Sequence, residues 1–255
     1  MSEGAFSPRP GPAPLPRMLV AQLLMETRLL LLNGEQLLLT IVIPTLVLVL
    51  FSTVNVVDLG AGQRVNSVLP GVLAIAVMST AFTGQAIATG FERRYGVLKR
   101  VALTPLPRWG FITAKTGSVV LVELVQVALL VVVGLVLGWT PRGSILDVAL
   151  LLVLGTAAFS GLGLLMAGTL RAEATLAGAN LVFLLLLVGG GVVVPLDKFP
   201  AAAATVLRQL PAGALASGLR DVIQRGGAMP AHDALVLLVW AAAGIAAAGA
   251  WFRWE

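Results

Sequence analysis

The sequence contains no cysteine and a single histidine, His232. The first absence excludes disulfides, thiolate chemistry and cysteine-ligated metal. The second leaves no imidazole cluster for a metal centre and no His inside a span for a Ser–His hydrolytic pair. Charge is scarce too: Asp, Glu, Lys and Arg make up 11% of the 255 residues, against about 25% in soluble domains. No Gly-rich phosphate loop followed by Lys and Ser or Thr is present, so ATP cannot be bound in that manner. Nor does MSEGAFSPRPGPAPLPR hold the short apolar core of a signal peptide. Residues 1–16, Pro-rich and polar, read as a disordered cytoplasmic tail.

What is abundant is apolar side chain: 58% of residues, in long Leu, Val, Ala and Ile runs, with a mean hydropathy of +0.97. In lipid only a helix or a closed barrel satisfies its own amides. Barrel strands would alternate polar and apolar residues, which these runs do not. The expected fold is therefore an all-α integral membrane protein, a single transmembrane domain over residues 17–255. A span needs about 20 apolar residues. Six are expected, at residues 37–57, 66–90, 113–137, 145–170, 174–194 and 234–254. Before them, Met18 to Gln36 carries Gln22, Glu26 and Asn33 on one face and reads as an interfacial helix. Between the last two spans, residues 195–233 are cut by Pro195, Pro200, Pro211 and Pro230. This segment is either re-entrant or an amphipathic helix pair on the outer surface.

Seventeen Lys and Arg residues and a formal net charge of +5 could suggest nucleic acid, but their placement explains them better. Eleven fall on the side of residues 91–112 and of both termini, so that side is expected to be cytoplasmic and the location the plasma membrane. Trp109, Trp139, Trp240, Trp251 and Trp254 fall near span ends or terminal turns. Gly134 with Gly138, and Gly155, Gly161, Gly163 and Gly168 in the fourth span, are expected to let helices approach closely. Gly189, Gly190 and Gly191 are expected to break the fifth span. His232 reads as a lone, solvated side chain.

The acidic residue well inside a span is Glu123, with Gln126 three residues on and on the same side. A carboxylate in lipid is costly, and points either to a polar contact or proton site in a pathway, or to a hydrogen-bonded contact between helices. An intramembrane enzyme would need a Ser–His pair or several metal ligands within the spans, and an ion-coupled transporter more intramembrane charge or paired broken helices.

The densest charge follows the second span. Its order is specific: Glu92, Arg93, Arg94, then Tyr95 and Gly96, Val97 and Leu98, Lys99 and Arg100, and finally Thr104 and Pro105. Val97, Val101 and the basic residues form a short amphipathic element stopped by Pro105 and Pro107.

FERRYGVLKRVALTPLPR resembles the cytoplasmic coupling segment of the ABC type-2 exporter permeases, which include drug, lipid and polysaccharide exporters. LDKFPAAAATVLRQLPAGALASGLRDVI is similar to the family's Pro-punctuated segment before the last span, with Arg220 in place. Tyr95-Gly96-Val97 departs from the Gly-Thr of many members. The resemblance implies a half-pore without catalytic residues or cofactor of its own. Residues 91–112, with Glu92, Arg93, Arg94, Tyr95, Gly96, Leu98, Lys99, Arg100, Thr104 and Pro105, would dock on a separate ATPase that holds ATP and Mg. Two permease chains, as a homodimer by default, would pair over two ATPases in the lipid bilayer. An almost uncharged pathway suits a hydrophobic or amphipathic cargo moved out of the cytoplasm.

Overall fold

The computed structural model describes residues 11–54, 64–192 and 195–253. The described residues form helices and turns and no strand. The described chain begins its helices with α1 (Leu15–Leu32), which has Pro16 in its first turn, where the missing N–H costs nothing. It ends at Asn33. Helical turns then continue through α2 (Gly34–Leu37), a π-helical turn (Leu38–Val42) and α3 (Ile43–Thr53). Pro44 cannot donate to the Thr40 carbonyl four residues earlier. A side chain from another helix supplies that donor, as described below.

Next come α4 (Arg64–Val77), a second π segment (Met78–Gly84) and α5 (Gln85–Arg94), which together make one long helix. The short α6 (Val97–Ala102) follows, then α7 (Arg108–Val136), α8 (Ile145–Thr169) and α9 (Ala172–Gly189). A 3₁₀ turn (Leu196–Lys198), α10 (Ala201–Leu207) and α11 (Pro211–Ile223) lead to α12 (Ala231–Trp251).

Among the described residues five helices are long and apolar enough to cross a membrane: Arg64–Arg94, Trp109–Val136, Ile145–Thr169, Ala172–Gly189 and Ala231–Trp251. The first expected span appears as a shorter apolar helix, Thr40–Thr53; its expected end at residue 57 lies outside the described residues. The second and third spans are longer than expected, because polar residues at their ends stay helical. Phe91 to Arg94 form the last turn of α5 rather than a loop, and α7 starts at Arg108 rather than at 113. Pro107, with ψ of 153°, sets that start. The fifth helix ends at Gly189, and Gly191 adopts φ +67°, so the glycine triplet breaks it as expected.

The Arg64–Arg94 helix is the most buried of the five, with α3, α7, α8, α9 and α11 packed around it. α8 and α12 form the most extensive pair. Their backbones meet at Gly161 and Gly244: a Cβ added to Gly161 would lie 2.7 Å from the Gly244 carbonyl carbon. Without a hydrophobic drive between helices in lipid, such close approach is what holds them. Gly138 does not serve this purpose; it follows α7 in a turn, with φ +88°. α1 lies along α7, where Leu23 fills the space over Gly117.

Almost every residue of α11 is buried. It inserts between α4, α8 and α12, with Leu215 against Gly155 and Leu151 against Gly218. Trp240 lies midway along α12 rather than near an end, and its Nε1 donates to the Gln209 carbonyl at 2.8 Å. Trp254 and residues 1–10 of the expected tail lie outside the described residues.

Candidate functional site

The charged element after the second span is built by local chemistry. α5 ends at Arg94, and Gly96 turns the chain with φ +72°, a conformation that side chains disfavour. One and a half turns of helix follow, closed by the Thr104 hydroxyl donating to the Val101 carbonyl at 2.6 Å. Leu98 is fully buried, in a cluster with Phe111 of α7, Leu164 of α8, and Ala248 and Phe252 at the end of α12. The inward face of α6 is thus centred on Leu98, with Val101 beside it. Lys99, Arg100, Thr104 and Pro105 point outward, and Leu103 is 89% exposed.

Arg93 and Arg94 do not reach the surface freely. The Arg93 guanidinium donates to the Leu170 carbonyl, and Arg94 pairs with Glu173, so both tie α5 to the α8–α9 connection. Tyr95 is largely exposed and stacks on Phe91, with centroids 6.1 Å apart.

Glu92 turns inward. Lys115 of α7 lies 2.7 Å from Glu92 and 2.7 Å from Glu26 of α1, and all three side chains are largely withdrawn from solvent. Gln22 donates to Glu26 at 2.7 Å, and the Lys115 ammonium also sits 5.3 Å from the centre of the Phe111 ring. Sequence reasoning placed Glu26 on a polar face and counted Lys115 only as a loop charge. The available signal was the depth of Lys115 in an apolar helix, where an unpaired ammonium is costly.

Glu123 and Gln126 are both buried, with partners from facing helices. The Thr156 hydroxyl of α8 donates to Glu123. Gln126 accepts from Thr80 at 3.2 Å and donates to the Thr40 carbonyl. It therefore joins the two π segments and supplies the donor that Pro44 lacks.

At the opposite end, Arg208 makes two 2.8 Å hydrogen bonds to Asp233 and lies 3.6 Å from Asp221. The bonds to Asp233 hold its guanidinium above its ordinary pKa, outweighing the effect of burial. His232 is not alone: Nδ1 lies 3.1 Å from Asp233 and Nε2 3.1 Å from Gln209. Buried Arg220 donates to the Gly191 and Val192 carbonyls, which fastens α11 to the turn after α9.

These features agree with two comparisons. The chain matches the family model described as ABC-2 type transporter over residues 19–223, from within α1 to the end of α11. It is also 24% identical over 181 residues to YvfS of Bacillus subtilis (strain 168), which carries the name of a transport permease; the match covers 68% of this chain and 71% of that protein. A multi-pass bundle of apolar helices, with a family match over most of its length, makes this chain a member of the ABC-2 type transporter family, a membrane permease and not an enzyme.

Proposed function

We propose that the chain is the six-span permease subunit of an ATP-driven exporter, half of a conduit whose energy comes from a separate ATPase. The observation that carries this is α6: anchored by Leu98 between α7, α8 and α12, it presents Lys99, Arg100 and Leu103 outward. A rigid element held this way transmits a push from a docked partner to three helices at once. ATP and Mg belong to that partner, of which two copies serve two permease chains, and the default pairing is a homodimer. The shorter apolar helix Thr40–Thr53 serves as the remaining span beside the five longer ones.

α1 and the Phe252 end of the chain lie at the α6 end of the bundle. With the excess of Lys and Arg there, this supports cytoplasmic placement of both termini in the plasma membrane. The α10–α11 hairpin then enters the outer leaflet without crossing it.

Glu123 and Gln126, each engaged by a facing helix, act as contacts between spans rather than as a proton pathway. Glu123→Gln is expected to transport at the wild-type rate at every pH; a changed pH profile would return Glu123 to the pathway and favour ion coupling. For cargo, the almost uncharged helices suit a hydrophobic or amphipathic molecule. Reconstitution with the ATPase, and hydrolysis measured against lipids, glycolipids and hydrophobic drugs, tests the assignment. Stimulation by members of one class is expected; no ATPase association at all would refute the reading.

A further inference from the structure

A cavity of about 410 Å³ opens beside the Glu26–Lys115–Glu92 triad, enclosed by α1, the helical turns from Leu37 to Thr40, α5 and α7. Four features of its wall point to one ligand chemistry. Two carboxylates share a single ammonium, and among the described residues Glu92 has no donor besides Lys115. Buried carboxylates favour a further cation where one can be brought in with its hydrogen bonds. Gln85 lines the same space and is 4% exposed, and among the described residues neither its amide oxygen nor its amide nitrogen has a partner. An unmet buried amide is costly, and a ligand with a matching donor and acceptor would recover that cost. The stacked rings of Phe91 and Tyr95 also border the cavity, and aromatic faces attract ammonium groups. Finally, the remaining wall is apolar, with Leu30, Val119 and Val122 inside and the exposed Met25 and Leu29 at the mouth.

We propose that this cavity binds an amphiphile whose head carries a primary ammonium next to a hydrogen-bond acceptor. The ammonium lies between Glu92 and the Gln85 oxygen, under the Tyr95 ring. The neighbouring acceptor takes the Gln85 N–H, and the apolar tail leaves between Met25 and Leu29 along α1. A phosphatidylethanolamine of the surrounding leaflet and a soluble long-chain amine both meet this description. The site rests on the permease reading only for which leaflet it faces, since binding needs no ATPase.

The test is native mass spectrometry of the delipidated full-length permease. It is incubated with phosphatidylethanolamine, phosphatidylcholine and diacylglycerol of equal chains, and separately with dodecylamine or dodecanol. One charge-assisted hydrogen bond is worth about a tenfold preference at 1.4 kcal/mol. Phosphatidylethanolamine retained about tenfold over phosphatidylcholine, and lost in Gln85→Met, supports the site with a lipid source. Dodecylamine retained about tenfold over dodecanol without a preference among the lipids supports it with a soluble source. Gln85→Met removes an unpaired buried amide and is expected to unfold no earlier than wild type on heating, so loss of binding there is not loss of fold. No preference for either amine, or undiminished binding in Gln85→Met, would overturn the site. Failure of the permease to assemble with an ATPase would leave it standing.

Discussion

At the end of the bundle that carries α6, Lys115 draws together carboxylates from α1 and α5. At the other end, Arg208, which closes α10, is held by Asp221 of α11 and by Asp233 in the first turn of α12. The first group joins segments 89 and 23 residues apart and lies beside a cavity. The second joins residues 25 apart and fastens a hairpin whose main helix is already buried among its neighbours. Charge at the α6 end thus couples elements distant in sequence, whereas at the hairpin end it joins successive helices and reinforces an insertion that apolar packing already holds.

The sharpest way to break this contrast is Lys115→Met. It leaves two buried carboxylates facing each other, a loss of about 3–5 kcal/mol for breaking a buried ion pair, read as a lower unfolding temperature of the purified permease. Adding Glu26→Gln and Glu92→Gln is expected to restore most of it, since no uncompensated charge then remains. Leu98→Ala comes next. It empties a fully buried site between α7, α8 and α12, costs about 2–5 kcal/mol, and frees α6 from the bundle, seen as faster proteolysis near Gly96. Asp233→Asn should cost less, about 1–2 kcal/mol, because the Arg208 side chain is 41% exposed and can rehydrate. If Asp233→Asn proved as damaging as Lys115→Met, the distinction between the two ends would fail. Smallest of all, Lys99→Ser with Arg100→Ser should shift stability by less than about 0.5 kcal/mol, as exposed substitutions do.

The same contrast separates what is legible in the sequence from what is not. α8 follows its expected span to within a residue, because a mainly apolar run begins behind Ser144, whose side chain accepts from the Asp147 N–H. The glycine break after α9 is read as readily. α7 is misjudged at its start because Arg108 to Ile112, just behind Pro105 and Pro107, look like loop residues; their helix is held by Phe111 in the Leu98 cluster and, one turn on, by Lys115 finding Glu26, 89 positions away. No local pattern carries such a pairing. The π segments are equally hidden, since Pro44 signals a freed carbonyl but not that Gln126 will meet it. For α6, composition marks an amphipathic element, but which face turns inward depends on where Phe111 and Phe252 leave room for Leu98.

The central claim is that α6 is the point of contact with a separate motor. The direct measurement is ATP hydrolysis by the tagged permease purified from its native membranes with its partner, comparing wild type with Lys99→Glu, Arg100→Glu and Leu103→Ser combined. The account predicts an ATPase that copurifies with wild type, and its loss from a variant that is still folded. A variant that keeps the ATPase and its full stimulated hydrolysis would contradict it.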